Sequence, residues 1–110
     1  MLNKKDLVAI NQQFHTGRIA NEGSLDFALE QTRRTEDWLK AVAFLVRAIL
    51  IDHAFEDGNK RTAAGVIMGY FDINNMFFNP DKVGKVVIQI LKNNITDVRK
   101  IMRSIQNATE

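Results

Sequence analysis

Residues 53–61 bring a histidine, two carboxylates, a glycine and two adjacent cations into one short polar stretch, His53-Ala54-Phe55-Glu56-Asp57-Gly58-Asn59-Lys60-Arg61. Imidazole is the side chain that exchanges a proton most readily near neutrality, which makes His53 the natural general base. Asp57 supplies oxygen ligands of the kind Mg2+ takes when it bridges a carboxylate and a phosphate. Gly58-Asn59 followed by Lys60-Arg61 reads as a helix start. Glycine reaches backbone conformations closed to most residues, and the first turn of a helix has N–H groups without partners. A cation in such a turn is unfavourable by about 0.3–1 kcal/mol, and here there are two. A bound anion such as a phosphate chain would offset that cost. A base, a metal carboxylate and a phosphate cradle together suit phosphoryl or nucleotidyl transfer.

Each residue also has a plainer role open to it. Asp57 can cap the following helix, which would occupy the same oxygens that Mg2+ needs. Lys60 and Arg61 can form a solvated face, although that leaves two cations beside orphan N–H groups unexplained. Glu56 is expected in solvent, with metal binding as the lesser option, and Phe55 is expected to anchor the loop in the core. The other histidine, His15, reads as a surface or capping residue. Arg47 either pairs with an acid or lines the site. Rival motifs fail on spacing: the alternating acids of an EF-hand are interrupted by Ala54 and Phe55, and both the Walker P-loop and H-E-x-x-H are absent.

The flanking segments must hold this stretch in place. Upstream, Trp38 to Ile51 is apolar nearly all round, and a helix apolar on every side has to be surrounded. Thr35 or Asp37 starts that helix, which runs to about Asp52 and forms the central post. Downstream, a helix over Asn59 to about Ile73 contains Gly65 and Gly69. Each interior Gly costs about 1 kcal/mol against Ala, which predicts close backbone packing there. Asn3 caps a first helix with Leu7, Ile10 and Phe14 on one face, ended near Gly17. Residues 15–23 form a loop or short flap, an ordinary connector on its length alone. Ser24 is expected to cap a short helix with Leu25, Ala28 and Leu29 inward. Phe77-Phe78 reads as core filling, Asn79-Pro80 as a helix start with Val83, Val86, Val87 and Ile90 in one stripe, and Thr96 as the cap of a last helix. That helix carries Val98, Ile101, Met102 and Ile105. The expected fold is an all-α single-domain bundle around a central buried helix.

The stretch His53-Ala54-Phe55-Glu56-Asp57-Gly58-Asn59-Lys60-Arg61 resembles the core motif of the Fic/Doc family, H-x-F-x-[DE]-G-N-x-R, with every fixed position present. Gly23-Ser24-Leu25-Asp26-Phe27-Ala28-Leu29 resembles the G-x-L-x-x-A-L segment of Doc-type proteins. The likeness spans residues 1 to about 95. Fic AMP-transferases usually continue to a second arginine, R-x-x-R, where this chain has Ala64. Asn-Lys-Arg-Thr is the Doc form, so the chain resembles the Doc branch. The resemblance implies a toxin kinase that moves phosphate from ATP to a hydroxyl of a cellular protein, a translation elongation factor, and so inhibits translation. It implies His53, Asp57 and Arg61 as catalytic residues, Asp57 on Mg2+, and Gly58, Asn59, Lys60 and Arg61 on the nucleotide phosphates. It further implies an antitoxin acting in trans, because the [ST]-x-x-x-E-[GN] pattern of self-inhibition is absent; Thr32 to Glu36 comes nearest, but Asp37 follows. AMP transfer by the same site is the alternative, and a catalytically idle protein-binding domain is another.

Composition sets outer bounds. A chain of 110 residues with 45% apolar content suits one folded domain rather than a disordered chain. The absence of cysteine excludes disulfides, thiol catalysis and Cys-ligated zinc. A formal charge of +2 gives no reason to expect direct nucleic-acid binding. The apolar run Ala41 to Ile51, broken by Arg47, falls short of the ~20 residues of a membrane span, and the polar N-terminus has no signal-peptide core, so a cytoplasmic location is expected.

Overall fold

Helix α3 (Trp38–Leu50) buries Ala41, Val42, Ala43, Leu45, Val46, Ala48, Ile49 and Leu50, which cover most of its circumference and leave one stripe of Lys40, Phe44 and Arg47 unburied. It is accordingly enclosed by α2 (Glu22–Arg34), α4 (Asn59–Ile73) and α6 (Val98–Gln106), and touches α5 (Pro80–Lys92). Helix α1 (Lys4–Gln12) lies outside this ring, against α4. The computed structural model describes residues 1–109, and among them there is no strand, only one antiparallel bridge between Ile19 and Phe55. The protein is all-α around a central buried helix, as its apolar patterning predicts. No helix among the described residues is long and apolar enough to cross a membrane.

Every α-helix but α4 starts at a side-chain cap. Asn3 and Asp6 form a reciprocal capping box on α1, the Asn3 side chain accepting from the Asp6 N–H at 2.9 Å and Asp6 from the Asn3 N–H at 2.8 Å. Helix α2 is capped by Asn21, which accepts from the Ser24 N–H at 3.1 Å; the expected cap, Ser24, lies inside the first turn. Asp37 caps α3, and Asn79 caps α5 with Pro80 following. For α6 the cap is Asp97 and not Thr96, since the Asp97 carboxylate accepts from the Lys100 N–H at 3.1 Å. That bond holds the Asp97 carboxyl below the usual carboxylate range. In both corrected cases an equal or stronger capper sits within three residues of the expected one, Asn21 level with Ser24 and Asp97 ahead of Thr96.

Packing corrects three further expectations. Phe14 is 43% exposed, because α1 stops at Gln12 and the chain turns before Phe14 can join Leu7 and Ile10. Phe77 does not fill the core either, being 95% exposed, whereas Phe78 stacks on Phe71 at 5.6 Å between ring centres. Of the α4 glycines, Gly65 marks close packing: a Cβ there would stand 2.8 Å from Ile10 Cγ2. Gly69 has ordinary space, 3.7 Å from Leu2 Cδ1. Arg47 neither meets an acid nor lines the polar loop. Its guanidinium lies 5.2 Å over the Phe44 ring and donates to the Thr96 carbonyl at 3.4 Å.

Candidate active site

The polar loop leaves the end of α3 by a sharp turn. His53 has φ +51°, a left-handed conformation uncommon outside glycine, which swings its exposed imidazole away from the helix. The chain then folds back, with the Ala54 N–H donating to the Ala48 carbonyl at 3.1 Å and Phe55 sunk into the core. Asn59 closes the loop on itself: its Oδ1 accepts from the Phe55 N–H at 3.0 Å and its Nδ2 donates to the Phe55 carbonyl at 2.8 Å. The Asn59 side chain is thereby committed to the loop, and its backbone N–H is the group left for a ligand. Residues 18–21 run alongside. The Ala54 carbonyl accepts from the Ala20 and Asn21 N–H groups at 2.7 and 3.1 Å, and the Glu56 N–H donates to the Arg18 carbonyl at 3.0 Å. The expected 15–23 segment is thus fastened to the loop at residues 18–21, and it ends earlier than expected, since Glu22 and Gly23 already belong to α2.

Gly58 begins α4 in the left-handed region, at φ +76°, with no side-chain cap. The first bond of the helix is from the Thr62 N–H to the Gly58 carbonyl, 2.9 Å. The N–H groups of Asn59, Lys60 and Arg61 are therefore the orphan donors of this turn. Asp57 does not cap it. Its carboxylate has no hydrogen-bond partner among the described residues, while its carbonyl accepts from Asn11 Nδ2 at 2.9 Å. Any residue but glycine at 58 would also require the His15 ring to move, since a Cβ there would lie 2.2 Å from His15 Cδ2.

These groups surround one open depression of about 450 Å3, within the ~300–1,000 Å3 typical of small-molecule sites. His53, Glu56, Asp57, Gly58, Asn59, Lys60 and Arg61 all line it, so every residue singled out by type and spacing meets the others in space. His15, Leu50 and Leu91 complete the wall. Neither Lys60 nor Arg61 forms an ion pair with Glu56 or Asp57; the ion pairs among the described residues are Lys4 with Glu22 and Asp26, and Glu30 with Arg33 and Arg34. Positive charge, orphan donors and a carboxylate therefore share the space without cancelling.

Two residues of this site are not evident from the sequence. Asn11 is 1% exposed and ties three segments together, donating to the Asp57 carbonyl and to Thr62 Oγ1, both at 2.9 Å, and accepting from the Gly17 N–H at 2.8 Å. Its only sequence signal is a polar residue four positions after Leu7 on an apolar face. His15, read as a surface residue, is exposed but stands against Gly58.

Among the described residues no three His, Cys, Asp or Glu side chains converge in a way that would hold a metal by themselves. Mg2+ does not need such a cage, as it usually keeps several waters and takes one or two carboxylates plus substrate phosphates. The uncommitted Asp57 carboxylate beside the orphan donors fits that pattern. Comparison with known protein families, with curated proteins and with solved structures finds no match, so the reading of the site rests on its residues and geometry.

Proposed function

We propose that this protein transfers the terminal phosphate of ATP to a hydroxyl group of another protein. One observation carries the reading: an uncapped helix turn with two unpaired cations faces an uncommitted carboxylate and an exposed imidazole across a single depression. The orphan N–H groups of Asn59, Lys60 and Arg61 receive the phosphate oxygens, and the Lys60 and Arg61 charges offset their negative charge as it shifts during transfer. Asp57 is the residue that would hold Mg2+, which when bound neutralises the phosphate chain. In the transfer, the target hydroxyl oxygen forms a bond to the γ-phosphorus, the bond from that phosphorus to the β-bridging oxygen breaks, and ADP leaves. The hydroxyl proton passes to His53, whose ring makes no hydrogen bond among the described residues. Resemblance to Doc-type toxins extends the proposal to a cytoplasmic elongation factor as the target and to an antitoxin that inhibits in trans.

Position 64 favours phosphate over AMP transfer. AMP transfer places the α-phosphate at His53 and needs the β- and γ-phosphates held farther along α4. Ala64 packs against the core and offers no charge there, a lost contact of roughly 1.5–3 kcal/mol. The test is to supply the protein and a cell lysate with ATP labelled at either the α or the γ position. Protein label from γ alone is the expected result. Label from α would reject the kinase in favour of AMP transfer, and an absence of Mg·ATP binding would leave a protein-binding domain as the better account.

A further inference from the structure

Some cations of this protein meet carboxylates, and two arginines, Arg47 and Arg61, lie over aromatic rings. Lys4, Arg33 and Arg34 meet carboxylates at 2.5–3.1 Å in surface ion pairs, so part of their charge is neutralised locally. Arg61 is held differently: its guanidinium carbon lies 5.6 Å from the centre of the Phe14 ring. Two carboxylates, Glu56 and Asp57, line the same depression, yet neither comes within ion-pair distance of it. Phe14 itself is not part of the lining; the ring supports Arg61 from outside. An aromatic face attracts a guanidinium through its quadrupole and leaves the net charge and all five donors available.

We infer that Phe14 is a positioning residue of the anion site, holding Arg61 at the mouth of the depression without neutralising it. The idea rests on the nucleotide reading above. It explains why a large aromatic side chain is 43% exposed at the end of α1, beyond the last helical turn and outside the core. It also explains why the turn after α1 is tied down so firmly: the Phe14 and His15 N–H groups both donate to the Asn11 carbonyl, at 3.0 and 2.8 Å. Asn11 in turn is bonded to Asp57 and Thr62. The backbone that carries the ring is therefore fixed relative to the first turn of α4, where Arg61 starts. A flexible arginine loses rotamer freedom when it grips a ligand, and a support that fixes it beforehand reduces that loss.

The effect of removing the ring is a weakening of Mg·ATP binding by about two- to fivefold, the range of an exposed cation–π contact. Calorimetric titration of Mg·ATP into the wild-type chain, Phe14→Ala, Phe14→Leu and Phe14→Tyr measures it. Tyr keeps a π face and should bind like wild type, whereas Leu keeps apolar bulk and should bind like Ala. In an Arg61→Gln background the Phe14→Ala change should have no further effect. A second readout needs no ligand: the Arg61 Nε–H resonance, shifted by the ring above it, should move toward its random-coil position in Phe14→Ala and Phe14→Leu. Equal binding by all the Phe14 variants, or an Arg61 signal indifferent to Phe14, would overturn this inference. A wild-type chain whose Arg61 signal depends on Phe14 but which takes up no Mg·ATP would overturn the nucleotide reading instead.

Discussion

Helices α4 and α5 begin in opposite ways. At the start of α5, Asn79 accepts from the Asp81 and Lys82 N–H groups at 3.0 and 3.4 Å, and Pro80 removes a third donor. Asp81 then places negative charge in the first turn, where the helix dipole favours it. Everything a helix start needs is supplied from within the chain. At the start of α4, Gly58 contributes no side chain, Asp57 stays out of the cap, and Lys60 and Arg61 put positive charge where it is least favoured. One start is capped by its own side chains and the other is left uncapped, with its donors open. On the proposed function the difference separates a helix start that serves the fold from one that serves a ligand, and substitutions at the two ends should have different consequences.

The largest effect is expected at His53, which faces the α4 start without being part of it. His53→Ala should lower transfer by about 10²–10⁴-fold, while Mg·ATP binding stays near wild type because other groups make the cradle. Steady-state transfer assays with parallel titrations check this, and wild-type turnover in the variant would remove the general-base role. Next is Gly58→Ala, which imposes a left-handed alanine and requires the His15 ring to move. It should cost about 1–2 kcal/mol of stability, measured by urea unfolding, and weaken nucleotide binding as well. The smallest effects are the most discriminating. Lys60→Glu puts an acid in the first turn of α4, so it should stabilise the fold by about 0.3–1 kcal/mol and yet weaken Mg·ATP binding. Asp81→Lys makes the reverse change on α5, and should destabilise by a similar amount with binding untouched. If both variants shift stability in the same direction, the two helix starts are not the opposites described above.

Short-range features were the legible ones. The α3 apolar run, the Asn79-Pro80 start and the His53–Arg61 grouping all depend on residues within a few positions of one another, and all appear in the structure where spacing puts them. Capping was less certain, because Asn21 competes with Ser24, and Asp97 with Thr96, over one turn of chain. Phe14 and Phe77 misled for a related reason. Aromatic residues read as core by default, and only the place where the helix stops decides whether they reach it. The contributions of Asn11 and His15 were out of reach, since their partners lie more than forty positions along the chain: Asn11 meets Asp57 across 46. Long-range hydrogen bonds leave no periodic signature.

Asn11 also couples the loop to the first helix. Its amide joins Gly17, Asp57 and Thr62, so undocking of α1 takes with it three hydrogen bonds that hold the loop. Local opening of the loop and release of α1 are therefore expected to share part of their free energy. An agent that releases the first helix would act on the candidate site from a distance without ever entering it.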